Sequence, residues 1–264
     1  MKIGFIGGGN MGGAIIGGIV EGKVAESSDI YVYDVNTDAV NKLKDQYGIQ
    51  QVVIGQAAVN AADILFLCVK PNVLYSVIDE IKADVSENTL IISIAAGQSI
   101  DAIENAFGKE IKLIRVMPNT PALVGEGMSA LSPNKNVTET ELKTAVELFS
   151  SFGKAEVVPE KLMDVVTAVS GSSPAYVFMF IEAMADAAVM GGMPRQQAYT
   201  FAAQSVFGSA KMVLETGKHP GELKDMVCSP AGTTIEAVAV LEDMGLRSAV
   251  IEAMRACMEK SQSM

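Results

Sequence analysis

The sequence predicts an α/β protein with a doubly wound sheet in its N-terminal part and helices alone in its C-terminal part. Three observations support this prediction. Apolar, β-rich runs alternate with helical patterns over the first 160 residues, a glycine-rich loop follows the first run, and no strand pattern recurs beyond that point. Apolar strands separated by helices are typical of a parallel sheet that is covered on both faces. We therefore expect two domains, at residues 1–160 and 161–264.

The predicted strands of the first domain are short runs rich in β-branched and other apolar residues. They span residues 2–7, 29–34, 63–69, 89–95, 112–118, 127–133 and 154–159. Helical patterns lie between several of them, at residues 38–48, 72–85 and 139–151. In such a sheet the carboxyl ends of the strands share one edge, and ligands bind beyond that edge.

The second domain consists of helical patterns rich in Ala, Met and Glu, at residues 163–190, 195–216 and 247–261. The longest stretch without a charged residue, 165–181, carries SGSSP in its middle. We expect this segment to break a membrane-spanning helix, because proline interrupts helical hydrogen bonding. The stretch is therefore interpreted as buried core.

Composition restricts the class of protein. With 264 residues, 49% of them hydrophobic, the chain is expected to be globular. A net charge of −11 argues against nucleic acid or an anionic membrane as the main partner. The N-terminus does not have the form of a signal peptide. Three scattered cysteines and one histidine provide no metal-ligand spacing, so no metal is expected and a reduced, cytoplasmic protein is the simplest interpretation.

The glycine-rich loop indicates a Rossmann-type, dinucleotide-binding domain. Gly7, Gly9 and Gly12 fit the spacing G-x-G-x-x-G directly after the first strand. Small residues there permit a tight turn, close approach of a pyrophosphate and close packing of helix on strand. The free N–H groups of the following helix attract the anion. The alternative is a tight turn that binds no ligand.

Asp34 ends the second predicted strand, 22 residues beyond Gly12, where an acceptor for the cofactor's ribose is expected. A carboxylate accepts hydrogen bonds from a ribose 2′-hydroxyl and repels a 2′-phosphate. No Arg or Lys lies between Asp34 and Lys42. We therefore expect NADH to be used at least comparably to NADPH. Alternatively, Asp34 caps the next turn or points to solvent.

Two further loops are expected at the same edge of the sheet. Lys70 and Pro71 follow the strand at 63–69, and Asn119, Thr120 and Pro121 follow the strand at 112–118. Lys70 could reach a phosphate or a carboxylate, while Pro71 fixes the loop. The alternatives are a solvated lysine and an ordinary turn.

Five motifs occur in a fixed order along nearly the whole chain. They are the glycine loop, VKP at 69–71, MPNTPA at 117–122, SGSSPAY at 170–176 and HPGELKDMVCSPAGTTIEAV at 219–238. Together they resemble pyrroline-5-carboxylate reductase, which makes proline. The resemblance implies a Rossmann-type domain, a helical domain that dimerises by intertwining, NADPH or NADH as cofactor, and a cytoplasmic enzyme. It also implies a homodimer or a larger ring of dimers.

The resemblance also implies the residues of the site. Residues matching the family's substrate contacts are Ser229, Gly232, Thr233 and Thr234. Residues matching its cofactor contacts, together with the loop residues inferred above, are Ile6, Gly7, Gly8, Gly9, Asn10, Met11, Gly12, Asp34, Val69, Lys70, Pro71, Ala95, Ala96, Gly97 and Asn119.

Three positions depart from the usual pattern of the family. Ser173 and Ala231 replace glycines, and Asp34 stands where many members carry a neutral or basic residue. We expect Ala231 to adopt a conformation that alanine tolerates and the backbone near Ser173 to differ slightly. Asp34 counts against a preference for NADPH.

The chemistry of imine reduction suits this chain, which offers one histidine and no obvious acid–base pair. A protonated imine is already electrophilic, and its proton can come from water. Positioning is then the main task, and it is worth about 7–11 kcal/mol. Thr233 is the candidate hydrogen-bond partner of the ring nitrogen.

Two other functions stay open from the residues alone. A hydroxyacid dehydrogenase needs a base, for which Lys211 or Lys224 could be nominated. The favoured interpretation is that Lys211 lies on a solvated helix face and that Lys224 forms an ion pair with Asp225. A dinucleotide-binding regulator without catalysis is the other. Within SPAGTT, at 229–234, Thr233 could also serve only as a helix N-cap.

Overall fold

The computed structural model describes residues 1–263. The chain forms two compact units: residues 1–172 together with 258–263, and residues 173–257. The domain boundary expected at residue 160 stays a prediction. Each unit is described by itself below.

The first unit is built on one eight-stranded sheet with the strand order β3-β2-β1-β4-β5-β6-β7-β8. The strands are β1 Ile3–Ile6, β2 Ile30–Tyr33, β3 Gln50–Gln51, β4 Ile64–Leu67, β5 Leu90–Ser93, β6 Lys112–Met117, β7 Gly127–Pro133 and β8 Gly153–Val157. The strands β1 to β6 are parallel, whereas β7 runs antiparallel to β6 and β8 parallel to β7. The chain reverses its direction of growth between β1 and β4, which places the ligand-binding crevice of such a sheet there.

Helices cover both faces of this sheet, as predicted. They are α1 Asn10–Glu21, α2 Thr37–Tyr47, α3 Gly55–Ala61, α4 Pro71–Ile81, α5 Ile100–Phe107, α6 Glu139–Ser150 and the single turn α7 Met163–Val166. Alternate residues of β4 divide between the two apolar cores: Phe66 packs with α1 and α6, and Leu65 packs with α4 and α5. Helix starts follow local capping chemistry, as in the capping box of Thr138 and Glu141.

Three short elements of this unit escaped the sequence analysis: β3, α3 and α5. Strand β3 has two residues, too few for an alternation to be visible. Helix α3 has seven residues and no side-chain cap, so it lacks the signal of a helix start. Helix α4 also ends at Ile81, earlier than the predicted 85.

The second unit consists of helices, as predicted. They are α8 Ser173–Met190, α9 Arg195–Thr216, α10 Pro220–Val227, α11 Thr233–Asp243 and most of α12 Leu246–Gln262. Helix α9 has the predicted bounds, whereas α8 ends at the predicted residue 190 but begins at Ser173 and not at 163. The buried core of this unit is small and contains Ala185, Ala198 and Ala202.

The charge-free stretch 165–181 is not buried core, contrary to the prediction. Phe178 is 62% exposed and Met179 69% exposed in the single chain. SGSSP does not break the helical run either, because a π-helical turn at Thr167–Gly171 leads into α8 and Pro174 lies in the first turn of α8. Proline is tolerated in the first turn of a helix, because the N–H that it lacks has no hydrogen-bond partner within the helix at that position. The run Glu160–Met190 is long and apolar enough to cross a membrane. One such helix is only weak evidence for a membrane span, because core helices of other proteins have the same length and composition.

Candidate active site

The glycine loop adopts the backbone that its spacing predicts. Gly7, directly after β1, has φ +109, and a Cβ atom there would lie 2.4 Å from the carbonyl oxygen of Cys68. A Cβ atom on Gly12 would lie 2.4 Å from the carbonyl oxygen of Gly7. Gly9 has open space where its Cβ would be. The first and third glycines are therefore required by packing, and the second leaves the backbone open to a ligand.

Helix α1 begins at this loop without a side-chain cap. Gly9 is its N-cap residue, and its first turn contains no acidic side chain. The N–H groups of Asn10, Met11 and Gly12 in that turn have no intrahelical acceptor. The loop borders a cleft of about 790 Å³ whose walls include Gly8 and Lys42. The open backbone at Gly9, next to N–H groups without an intrahelical acceptor, fits the pyrophosphate of a dinucleotide.

Asp34 lies beside the glycine loop, directly after β2. Its Oδ2 accepts a hydrogen bond from the Gly8 N–H at 2.6 Å, and its Oδ1 accepts one from the Asn36 N–H at 2.8 Å. The side chain therefore caps the next turn, as the alternative held, and also contacts the loop. Each carboxylate oxygen keeps a further lone pair with which to accept a hydroxyl.

Three apolar side chains near Asp34 were missed by the sequence analysis. Val35 is 88% exposed, Val53 is 87% exposed and Ile54 is also exposed. They lie just beyond the ends of β2 and β3, which are paired neighbours in the sheet. The signal in the sequence was the presence of Val35, Val53 and Ile54 in the loops that follow the strands, where polar residues are more usual.

The loops after β4 and β5 leave the sheet side by side, because β4 and β5 are paired in parallel. Lys70 is the N-cap residue of α4, and Pro71 occupies the first turn. Within residues 1–263 the Lys70 ammonium has no ion-pair partner within reach, and the side chain is exposed. Gly97 has φ +72, a conformation that glycine adopts readily.

Asn119 follows β6 at the same edge, but its side chain is already engaged. Its Oδ1 accepts a hydrogen bond from the Met128 N–H at 2.8 Å, and its Nδ2 donates to the Ser170 carbonyl at 3.0 Å. Asn119 is buried. The amide thus ties the β6 loop to β7 and to the π-helical turn.

All of the predicted cofactor residues lie in the first unit, at the carboxyl edge of the sheet or in the loops beyond it. Val69, Ala95 and Ala96 belong to the loops after β4 and β5, and Ile6 ends β1. All of the predicted substrate residues lie in the second unit.

The segment SPAGTT forms the turn that starts α11. The Gly232 N–H donates to the Ser229 carbonyl at 3.0 Å, and Gly232 is the N-cap residue of α11. A Cβ atom on Gly232 would lie 2.2 Å from Ser229 Oγ, so only glycine lets this hydroxyl lie against the helix start. No side chain caps α11.

Thr233 and Thr234 are the first two residues of α11, as the sequence analysis expected. Because Gly232 is the N-cap, the alternative that Thr233 caps its own helix is wrong. Both hydroxyls are without a hydrogen bond to any residue in the range 1–263. The helix start therefore offers unpaired backbone donors and two threonine hydroxyls, which suits a carboxylate.

Ala231 does not have the conformation expected for alanine. Its φ is +57, in the left-handed region. That region costs a residue with a Cβ roughly 1–2 kcal/mol, and glycine avoids this cost. The turn before α11 is accordingly strained.

Replacing Ala231 by glycine is expected to raise the free energy of unfolding by about 0.5–1 kcal/mol, the relief of strain less the extra entropy of the unfolded glycine. Urea unfolding at one fixed protein concentration measures it. Ala239→Gly, at an exposed position inside α11, is the matched control and should lower stability by about 1 kcal/mol. An equal loss of unfolding free energy in both variants would contradict the claim that Ala231 is strained.

The lysines nominated as bases are both paired. Lys211 Nζ lies 3.5 Å from Glu215, and Lys224 Nζ lies 2.7 Å from Asp225. The hydrogen bond and charge of Asp225 raise the pKa of Lys224, which opposes a role as a base. His219 Nδ1 accepts a hydrogen bond from the Gly221 N–H at the start of α10. Burial raises the pKa of the Cys68 thiol, which makes it unreactive.

No group of side chains among residues 1–263 could hold a metal ion. In the first unit, the backbone N–H groups at the start of α1, the Asp34 carboxylate and the Lys70 ammonium can bind a dinucleotide. In the second unit, the backbone N–H groups and hydroxyls at the start of α11 can bind a small carboxylate.

Comparison with known proteins identifies two matching families and several close relatives. A family described as pyrroline-5-carboxylate reductase dimerisation matches residues 160–264. A family described as NADP oxidoreductase, coenzyme F420-dependent, matches residues 2–97. The pyrroline-5-carboxylate reductase of Escherichia coli strain K12 is 56% identical over 263 residues, which cover 100% of this chain and 98% of the relative.

A relative from Methanosarcina acetivorans, also a pyrroline-5-carboxylate reductase, is 46% identical and aligns over 100% of this chain and 97% of its own length. Among solved structures, a Plasmodium falciparum pyrroline carboxylate reductase with NADP bound is 35% identical, with a TM-score of 0.90. The match covers 100% of this chain and 97% of that one.

Proposed function

This chain belongs to the pyrroline-5-carboxylate reductase family, and on that premise we propose how its own residues carry out the reaction. It is an NAD(P)H-dependent oxidoreductase that reduces the C=N bond of 1-pyrroline-5-carboxylate to L-proline, the last step of proline biosynthesis. One observation supports the assignment of residues: each unit contains a helix, α1 in the first and α11 in the second, whose N-cap residue is a glycine and whose start has no side-chain cap. Both are suited to anions.

The first unit, which contains the predicted domain 1–160, holds the dinucleotide. NAD(P)H, when bound, supplies the hydride. The N–H groups at the start of α1 bind the pyrophosphate, and the Lys70 ammonium neutralises part of its charge. Asn119 acts by holding its loop in place, since its amide is engaged. The residues proposed to contact or position the dinucleotide are Ile6, Gly7, Gly8, Gly9, Asn10, Met11, Gly12, Asp34, Val69, Lys70, Pro71, Ala95, Ala96, Gly97 and Asn119.

Asp34 sets the preference between the two cofactors. Its contact with Gly8 N–H places a carboxylate at the glycine loop, where the free lone pairs can accept a ribose 2′-hydroxyl. The same charge repels a 2′-phosphate. The exposed side chains of Val35 and Val53 offer an apolar surface for the adenine. We expect NADH to be used at least comparably to NADPH.

The second unit, within the predicted domain 161–264, holds the substrate. The substrate carboxylate is bound by the N–H groups at the start of α11 and by the hydroxyls of Ser229 and Thr234, with Gly232 permitting close approach. The Thr233 hydroxyl holds the ring nitrogen and relays a proton that comes from water. An acidic protein can hold an anion here because the donors are backbone and hydroxyl groups.

The apolar surface of the second unit fits the dimerisation family that it matches. Phe178, Phe201 and Met244 are exposed in the single chain, whereas the buried core of the unit contains only alanines. So large an exposed apolar area marks an interface. We place the protein in the cytoplasm as a homodimer or a ring of dimers, with no membrane and no nucleic acid as partner.

Sedimentation at micromolar concentration is expected to show a dimer or a multiple of it. The physical reason is that the apolar area on α8 and α9 remains exposed unless a second copy covers it. The same samples should be assayed for activity. A monomer with full activity would contradict this prediction.

The function is tested by following NADH and NADPH oxidation with pyrroline-5-carboxylate, and NAD⁺ reduction with a panel of hydroxyacids. We expect turnover with the imine and none with the hydroxyacids. Turnover of a hydroxyacid alone would favour the dehydrogenase, and cofactor binding without any turnover would favour a regulator.

A further inference from the structure

Helix α4 and the loop after β5 in the first unit are joined by a side-chain hydrogen bond that the reaction does not require. The Tyr75 hydroxyl donates to Gln98 Oε1. Tyr75 lies in α4, one turn beyond Pro71, and Gln98 follows Gly97 in the loop between β5 and α5. Within residues 1–263 it is the one side chain–side chain hydrogen bond between these segments.

The loop 94–99 is held at both ends by hydrogen bonds that involve backbone N–H groups, whereas its middle is held through the side chain of Gln98. At its start the Ile94 N–H donates to the Leu67 carbonyl at 3.2 Å, and at its end Ser99 Oγ accepts from the Ala102 N–H at 3.1 Å. Between them lies Gly97, whose backbone is the most permissive of any residue. The bond from Tyr75 to Gln98 holds this middle part.

Tyr75 is well placed to act as an anchor. Its neighbour Leu74 is fully buried in the core that α4 and α5 share, together with Ile78 and Ile103. The helix is thus rigidly seated, while the Tyr75 side chain itself stays partly exposed at 41%. A hydroxyl on a helix that is already fixed can hold the loop with little loss of conformational entropy.

We propose that Tyr75 and Gln98 are positioning residues that hold the Gly97 loop in its dinucleotide-binding geometry beside the Lys70 loop. This rests on the proposed function, because that function assigns residues 69–71 and 95–97 to the cofactor. Without the bond, the loop must be ordered when NAD(P)H binds, and the ordering weakens affinity. The substrate residues, which lie in the second unit, are not affected.

The test compares Tyr75→Phe, Gln98→Leu and the double variant, with Tyr31→Phe as control. Tyr31 is also half-buried in the first unit, but its hydroxyl makes no hydrogen bond within residues 1–263. The Kd for NADH is measured by fluorescence or calorimetry, without turnover. Steady-state assays add KM and kcat. Amide hydrogen exchange of residues 94–99 is followed without cofactor.

We expect Tyr75→Phe to weaken NADH binding about three- to tenfold and to speed exchange in the loop, as loss of one hydrogen bond predicts. The value of kcat, the KM for the imine and the thermal midpoint should stay unchanged. The double variant should bind no more weakly than the weaker single variant, because both remove one interaction. Tyr31→Phe should match the wild type.

Additive losses in the double variant, or Tyr75→Phe binding NADH within about 1.5-fold of wild type, would overturn the proposal, since a working bond must exceed that. A wild-type protein that binds NADH without reducing the imine would count against the proposed function alone. The comparison of the Kd for NADH between wild type and the variants would still decide the role of Tyr75 and Gln98. A wild-type protein that binds neither dinucleotide would refute both.

Discussion

Replacing Thr233 by alanine is expected to lower kcat/KM for the imine by about 10- to 100-fold, the usual cost of a hydrogen bond to a charged group. The Thr233 hydroxyl is free of other bonds within residues 1–263 and stands at the uncapped start of α11. Because Gly232 is the N-cap residue, the substitution removes no helix cap. Thermal stability and NADH affinity should therefore stay intact.

Thr234→Ala should act in the same direction but more weakly, through KM. Thr200→Ala in α9 is the matched control, because that hydroxyl bonds only to the Gln196 carbonyl of its own helix. Steady-state kinetics with saturating NADH separate an effect on the KM for the imine from an effect on kcat. If both Thr233→Ala and Thr234→Ala remained within about twofold of wild type, far less than one charged hydrogen bond, the substrate assignment would fail.

Asp34→Ser is expected to raise the use of NADPH relative to NADH by about tenfold, equivalent to ~1.4 kcal/mol of transition-state stabilisation. The substitution removes the charge that faces a 2′-phosphate, together with the carboxylate oxygens that accept from the Gly8 and Asn36 N–H groups. The ratio of kcat/KM for the two cofactors measures the effect. Asp45→Ser removes the same charge from an exposed position of α2 that does not line the cleft, and it should leave the ratio unchanged.

A wild-type enzyme that strongly prefers NADPH, with a preference that Asp34→Ser does not alter, would show that Asp34 does not face the ribose. The carboxylate would then serve only the hydrogen bonds to Gly8 and Asn36. Lys42, which borders the same cleft, would be the residue to substitute next.

Most of the sheet could be predicted from the sequence because its strands are buried on both faces. Residues such as Leu65 and Phe66 face opposite cores, so the whole strand reads as apolar. The start of α11 was likewise predictable, since Gly232 and the two threonines give a helix boundary in the residues themselves. Strand β3 could not be found, because two residues carry no pattern.

The burial of residues 165–181 was wrongly predicted for a different reason. An apolar pattern shows that a surface avoids water, but not whether the same chain covers it. Phe178 and Met179 are exposed in the single chain, and the dimerisation family explains their character. The sequence likewise could not indicate that the amide of Asn119 is engaged by Met128 and Ser170, which are distant along the chain.

The central claim is that the start of α11 binds the carboxylate of the imine. It is tested most directly by assaying wild type and Thr234→Ala with pyrroline-5-carboxylate and with 1-pyrroline, which has the same ring without the carboxylate. We predict that wild type loses most of its kcat/KM with 1-pyrroline, and that the substitution lowers kcat/KM for the carboxylated imine only. An equal loss for both imines in the variant would contradict the claim.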